Sequence, residues 1–303
     1  MSNGANTLRS RRRKEPDSPA TASSRPLLQS TTAATSVLKL SAGNTTEQTD
    51  LLAVEEPLEI RVRGRSIAVT MRTPGDDREL VAGFLFSEGV IRERRHLADI
   101  APCRASPQPG NSLDVFLRSG MEVDFAQLTR HVFATSSCGL CGKASIDAVK
   151  QRFPPITSSL SVSARTLLHL PDRMRRAQKA FAQTGGLHAA AIFDAKGKLI
   201  VLREDIGRHN AVDKVVGWGF LENKLQFDSH LLLVSGRASF EILQKALAAR
   251  IPIVCAVSAP SSLAVRFAHE SSQTLVGFLR GESMNVYTHR ERVVGQASRL
   301  SPK

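Results

Sequence analysis

The sequence predicts an α/β (α+β) protein, a layered α/β domain in the C-terminal half preceded by a smaller β-rich subdomain. Two patterns lead there. From residue 188 onward short apolar runs alternate with helix-like stretches, as strands joined by right-handed crossovers do. Before that, PLEIRVRGRSIAVTMRT alternates apolar and charged residues about Gly64, the signature of a β-hairpin. The 303 residues are 42% hydrophobic and 23% charged, ordinary for a soluble globular protein, and no apolar run approaches the ~20 residues of a membrane span.

Taken in order, residues 1–50 are rich in Ser, Thr, Ala and Gly, with a basic knot at Arg11, Arg12, Arg13 and Lys14, and are expected to be a disordered tail. The knot fits a solvated tail better than an address or an acidic-surface contact, and a transit peptide stays open as an alternative. After the Gly64 hairpin, DDRELVAGFLFSEGVI reads as a helix. Asp76 and Asp77 start it, Leu80, Gly83, Phe84 and Phe86 share a near-helical spacing, and Gly89 ends it. SLDVFLRS is expected to be a strand and MEVDFAQL a strand or turn. Ser161–Gln183 reads as helical, with Pro171 near a helix start. LHAAAIFD and KLIVLRED flank the turn residues Ala195, Lys196 and Gly197 as a hairpin. Then follow a helix (HNAVDKVVGWGF), a buried strand (HLLLVSG), a helix (SFEILQKALAAR), a strand (IPIVCAVS), a helix (SSLAVRFAHE) and a strand (TLVGFLR). The division expected is a tail at 1–50, an N-terminal subdomain at 51–155 that carries the CGLCG loop, a second domain at 156–293 and a short tail at 294–303.

The net charge is +13, of which residues 1–50 hold +3 (seven basic and four acidic residues), leaving +10 on the remainder. A basic surface suits nucleic acid, lipid, acidic proteins or a multiply phosphorylated small molecule. One Trp, one Tyr and no dense Lys/Arg stripe beyond residue 14 argue against nucleic acid. The start has arginines but no apolar segment after them, so the cytoplasm is the expected compartment.

Four cysteines are present, and only Cys138 and Cys141 are close in sequence, which is not a disulfide scaffold. TSSCGLCGKAS has four possible uses. A zinc site would need two further ligands, and no second Cys-x-x-Cys or His pair supplies them, although a distant His could. A thioredoxin-like couple would follow a strand and open a helix, usually with an aromatic residue or proline beside the cysteines. Two inert buried thiols would need more apolar cover than Ser136, Ser137, Gly139, Gly142 and Lys143 provide. Covalent sulfur chemistry needs a thiolate; the free thiol pKa of about 8.5 would be lowered by Lys143 or a helix N-terminus.

Two segments look like anion cradles. LLLVSGRASFEILQKA runs from strand through a tight turn with Arg237 to Ser239 at a helix start, and IVCAVSAPSSLAVRFA repeats the plan with Ser258, Pro260, Ser261 and Ser262. Helix N-termini favour phosphate, and ligands of open α/β sheets collect at the carboxyl ends of strands. The alternative is that Ser and Pro merely cap helices. REDIGRHNAVDKVVG concentrates Glu204, Asp205, Arg208, His209, Asn210, Asp213 and Lys214 after a strand, which reads equally as a site or as a salt-bridged helix start. A lone His such as His188 is more often core or cap than ligand.

SSCGLCGKAS, TGGLHAAAIFD, EDIGRHNAVDKVVG, SGRASFEILQKA, VSAPSSLAV and TLVGFLRGESMNVYTH, in this order, closely resemble the formate dehydrogenase accessory sulfurtransferase family, FdhD, over about residues 54–293. The resemblance implies a sulfur carrier that takes persulfide sulfur from a cysteine desulfurase and passes it to the bis-guanine-dinucleotide molybdenum cofactor for formate dehydrogenase. It implies no permanent cofactor and no metal, only that cofactor as a bound client. Cys138 matches the persulfide position, with Cys141 assisting or resolving, and Phe278, Leu279, Arg280, Gly281, Glu282 and Ser283 match the cofactor-contacting stretch. Guanine-nucleotide contacts from Arg237, Ser239, Ser261 and Ser262 extend that pattern. The resemblance further implies a cytidine-deaminase-like fold for the C-terminal domain and a homodimer. Deaminase chemistry needs H-x-E and P-C-x-x-C, whereas Ala189 and Ala190 follow His188 and no proline precedes Cys138. A non-catalytic cofactor chaperone and, less readily, a zinc-dependent deaminase-like hydrolase are the alternatives.

Overall fold

The computed structural model describes residue 1 and residues 30–125, 152–225 and 227–295; Cys138, Cys141 and the loop that carries them lie outside the described residues. Strands β1 (Thr32–Ser41) and β2 (Asn44–Ala53) pair antiparallel as an arm. Residues 32–50 therefore depart from the disordered tail that composition predicts. The reason is visible in the burial: Leu38 and Leu40 are 65% and 73% exposed, so the arm lacks the one-sided apolar pattern by which a strand is recognised in sequence.

Strands β3 (Glu56–Val62) and β4 (Arg65–Arg72) turn at Arg63 and Gly64, both at positive φ, the conformation for which Gly64 suits the tight hairpin. With β5 (Leu97–Pro102) and β6 (Ser112–Leu117) they form a sheet of order β4-β3-β6-β5. Helix α1 (Asp77–Ser87) follows β4, its first turn holding Asp77 and Glu79 where acidic side chains oppose the helix dipole.

The stretch expected to be one helix from 161 to 183 breaks into a two-residue strand β7 (Val162–Ser163) and three short helices, α2 (Ala164–Leu168), α3 (Leu170–Ala177) and α4 (Lys179–Thr184). Each has its own start: the Ser163 hydroxyl accepts from Thr166 N (3.0 Å), Pro171 sits in the first turn of α3, and the Glu204 carboxylate accepts from Ala180 N and Phe181 N at the start of α4.

The C-terminal part matches the predicted alternation. It runs β8 (His188–Asp194), β9 (Leu199–Asp205), α5 (Arg208–Leu221), β10 (His230–Val234), α6 (Phe240–Ala248), β11 (Ile253–Ala256), α7 (Ser262–Glu270) and β12 (Thr274–Arg280). A further strand, β13 (Ser283–Thr288), returns beside β12, and β14 (Val293–Val294) pairs with β7. The sheet order is β13-β12-β11-β10-β8-β9, with β10, β11 and β12 parallel and β8, β9 and β13 antiparallel to their neighbours.

Both sheet faces are covered, which explains why β8 is apolar throughout. Ala190 and Ile192 face a core shared with α5, α6 and α1, and Ala189, Ala191 and Phe193 face a second core closed by Leu167, Leu170 and Met174 of α2 and α3. The first core continues without a break into the N-terminal sheet at Leu58, Ile60 and Val62. What joins the two parts is the crossing of α1 and α5 at Gly83 and Gly217. A Cβ on either glycine would lie within 2 Å of the other helix's backbone: 1.9 Å from Asp213 O for Gly83 and 1.8 Å from Glu79 O for Gly217. No described helix is long and apolar enough to cross a membrane.

Candidate functional site

Because β10, β11 and β12 are parallel, their carboxyl ends open on one edge of the sheet. The antiparallel pair β8 and β9 brings two more residues there, since His188 opens β8 directly opposite Asp205, the last residue of β9. The turns after β10 and β11 are laced together: Ala238 N donates to Ala259 O (3.2 Å) and Ser261 N to Ala238 O (3.0 Å), while Phe278 N donates to Ser258 O (3.1 Å). The two cradles thus sit side by side, and helices α6 and α7 start from them.

The predicted residues separate by what their side chains do. Ser261 accepts from Ala264 N (3.1 Å), so its hydroxyl is spent on capping α7. Ser239 caps nothing; its Oγ lies 3.2 Å from His209 Nε2. Arg237 and Ser262 are exposed. Phe278 holds a left-handed backbone (φ 51°) and is half-buried, with the Arg280 guanidinium 5.7 Å from its ring centroid. Leu279 is fully buried in the second core, which leaves only its backbone to meet a ligand. Arg280, Gly281, Glu282 and Ser283 form the exposed tip between β12 and β13, projecting past the same edge.

REDIGRHNAVDKVVG divides in two. Asp205 and Lys214 form a buried ion pair (2.8 Å). Lys214 Nζ also donates to Thr73 O (2.9 Å), and Asn210 Nδ2 donates to Asp205 Oδ1 and Met71 O. These groups tie the start of α5 to the end of β4, so the salt-bridged helix start accounts for them. Arg208 and His209 remain for the edge. Arg208 Nε is buried and has no hydrogen-bond partner among the described residues, and an anion could accept from it. Burial first, then the charges of Arg208 and Arg237, hold the His188 imidazole below its usual range.

A second feature adjoins this edge and was not singled out from the sequence. A cavity of about 200 Å³ separates β4 and α1 from α5 and α6, with Ile60 and Phe84 on one wall and His209, Asp213, Glu241 and Lys245 on the other. Lys245 Nζ donates to both Asp213 oxygens (2.8 and 2.9 Å). Burial pushes the Asp213 carboxyl up to about 6 even so. Burial, then the Lys245 and Arg208 charges, push His209 down to about 4. The signal was present as two polar pairs at i, i+4 on α5 and α6, His209–Asp213 and Glu241–Lys245.

The lowered value makes His209 a neutral imidazole at physiological pH. The side-chain ¹⁵N resonances of His209 are expected to titrate at about 4 rather than at the ordinary value of ~6.5; titration near 6.5 would mean that the ring is solvated and free of Lys245.

Of the four cysteines, Cys103 and Cys255 are buried, and burial pushes the Cys255 thiol up to about 12, which makes it inert. The segment bearing Cys138 and Cys141, residues 126–151, lies in sequence between Phe125 and Arg152, the described residues that flank it. Phe125 lies under the Arg65 guanidinium (5.0 Å) at the start of β4, and the Arg152 guanidinium donates to Glu88 O. Glu88 and β4 both line the cavity.

Comparison with known proteins bears on this arrangement. The family model described as the FdhD/NarQ family matches residues 53–294. The sulfur carrier protein FdhD of Mycobacterium tuberculosis is 53% identical over 266 residues, covering 85% of this chain and 96% of the relative. The protein of that name from Saccharolobus solfataricus is 42% identical over 250 residues, covering 82% and 92%. The crystal structure of a formate dehydrogenase accessory protein from Desulfotalea psychrophila superposes with a TM-score of 0.70 at 25% identity, covering 88% of this chain and all of that one. With the family model spanning the whole described α/β fold and half the residues shared with such relatives, the chain belongs to the FdhD/NarQ family.

Proposed function

We propose that the protein is a sulfur carrier that receives sulfane sulfur on Cys138 from a cysteine desulfurase and passes it to the bis-guanine-dinucleotide molybdenum cofactor destined for formate dehydrogenase. The observation that carries the reading is the buried Arg208 Nε, without a hydrogen-bond partner among the described residues, at an edge where Arg237, His188 and the starts of α6 and α7 converge. Such an edge suits the phosphates of a dinucleotide, and the family to which the chain belongs includes relatives named sulfur carrier proteins. The cofactor is cargo, and the exposed Arg280 tip offers it one further cation.

The transfer balances without an outside oxidant. The Cys138 thiolate attacks the outer sulfur of the donor persulfide; a new S–S bond forms on Cys138 and the donor cysteine leaves as its thiolate. The Cys141 thiolate then attacks Cys138 Sγ, a Cys138–Cys141 disulfide forms, and the outer sulfur leaves as hydrosulfide for the molybdenum. The two electrons that reduce it come from the cysteine pair, which a cytoplasmic thiol resets. The flank at Arg152 favours delivery along the cavity side of the protein, because it is held by Glu88, which lines the cavity.

The test is peptide mass spectrometry after incubation with a cysteine desulfurase and cysteine. Wild type is expected to gain one sulfur on the peptide containing Cys138, Cys138→Ala none, and Cys141→Ala to gain sulfur but not release it. A Cys138→Ala protein that still activated formate dehydrogenase in cells would leave a binding chaperone, with both cysteines dispensable, as the better description.

A further inference from the structure

At the end of α5 remote from the ligand edge, a groove of about 660 Å³ opens to solvent. Arg92, Arg94, Arg95 and Arg118 rim it, and Phe220 and Leu225 form its floor. One acidic residue, Glu93, lies among these arginines and pairs with Arg95. Arg94 Nη1 donates to Leu97 O (2.9 Å), and Arg118 N donates to His96 O (3.0 Å), so two of the four arginines stand on a fixed backbone.

Two placements say what the groove could serve. Arg208 and Phe220 lie near opposite ends of α5, and at about 1.5 Å per residue the helix separates them by roughly 18 Å. A partner in the groove therefore leaves the ligand edge free. The groove also adjoins Arg152, the first described residue after the cysteine-bearing segment. Arg152 packs on Gly89, where a Cβ would meet Arg152 Cδ at 2.5 Å, and Arg92 follows three residues later.

We infer that this arginine-rimmed groove docks an acidic segment of the sulfur-donating protein, holding the donor beside the cysteine segment while the opposite edge keeps the cofactor. Charge complementarity favours an acidic partner, and arginine is among the residues enriched at protein interfaces. RNA fits less well, because Phe220 is 1% exposed and no other aromatic side chain lines the groove to stack a base. The inference rests on the carrier reading given above.

The experiment compares rates of sulfur loading of the full chain from two donors, a cysteine desulfurase with cysteine and the small molecule glutathione persulfide, which needs no docking. In the variant Arg92→Glu/Arg95→Glu/Arg118→Glu, loading from the desulfurase is expected to fall about ten-fold or more and to lose its dependence on ionic strength, as for a charge-steered encounter. Loading from glutathione persulfide should stay at the wild-type rate, which also reports that the variant is folded. A control with the same charge change on another face, Arg165→Glu/Arg176→Glu/Lys179→Glu, should load normally from both. The docking inference is overturned if the groove variant loads normally from the desulfurase, or if the control loses as much. Normal loading with failed delivery to formate dehydrogenase would overturn it too, by giving the groove to the acceptor. A wild type loaded by neither donor would remove the carrier reading and this inference with it, whereas the first three outcomes leave that reading standing.

Discussion

Replacing Lys214 with Met is expected to lower stability by about 3–5 kcal/mol, the cost of leaving one member of a buried ion pair without its partner. Asp205 is 0% exposed and Lys214 is 1% exposed, so no water replaces the missing ammonium. The carboxylate keeps three donors, Thr73 N (3.2 Å), Gly207 N (2.8 Å) and Asn210 Nδ2 (3.0 Å), which hold it in place but do not neutralise it. Stability for domains is commonly ~5–15 kcal/mol, so the loss runs from about a fifth of it to all of it. The companion change Asp205→Asn removes the stranded charge, and the double variant should recover part of the loss. Thermal unfolding followed by circular dichroism checks both. A Lys214→Met protein within about 1 kcal/mol of wild type would show that the pair is no clamp.

The consequence would reach the ligand edge, because the same knot positions it. Ile206 N donates to Thr73 Oγ1 and Gly207 N to Asp205 Oδ1, so the turn that carries Arg208 and His209 hangs from the pair. This is where the sequence was ambiguous for a physical reason. Seven polar residues at a strand end look alike whether they bind a ligand or bind each other, and only the packing of Asp205, Asn210 and Lys214 against Met71 and Thr73, more than 130 residues away, separates the two uses.

Much of the fold was legible because its determinants are local. Ala189, Ala191 and Phe193 alternate with Ala190 and Ile192 between two cores, and the Gly, Ser and Pro residues of the turns after β10 and β11 mark strand-to-helix junctions. What local pattern does not carry is which strands are neighbours. His188 reaches the ligand edge only because β8 lies between β10 and β9, and His209 meets Ser239 only because α5 and α6 pack together. Strand β13 is not among the elements expected from the sequence, although Met284 and Val286 alternate with Ser283 and Asn285; its first residue, Ser283, falls in the stretch read as contacting the cofactor. The arm at 32–53 escaped because neither of its faces is apolar enough to mark a core.

Substituting Gly217 with Ala should be the most damaging single methyl addition in the described fold, together with its counterpart Gly83→Ala. In most helices Gly to Ala stabilises, by about 1 kcal/mol, because the unfolded chain loses freedom. Here the sign reverses. A Cβ at Gly217 would stand 1.8 Å from Glu79 O and 2.7 Å from Gly83 N, and one at Gly83 would stand 1.9 Å from Asp213 O. These obstacles are backbone atoms, so no rotamer change relieves them and the helices must part. Overpacking a core costs typically ~1–3 kcal/mol and more where backbone must move; this case belongs at or above the upper figure. Parting α1 from α5 would also open the shared core at Leu80 and Val216 and shift Asp213 relative to Lys245, so loss of stability and a changed His209 titration should appear together. Denaturant unfolding of Gly217→Ala beside the same substitution at exposed Gly186, where an added Cβ would meet nothing nearer than Ala53 Cβ at 3.6 Å, makes the comparison. Equal costs at the two positions would show that α1 and α5 do not depend on backbone contact at their crossing.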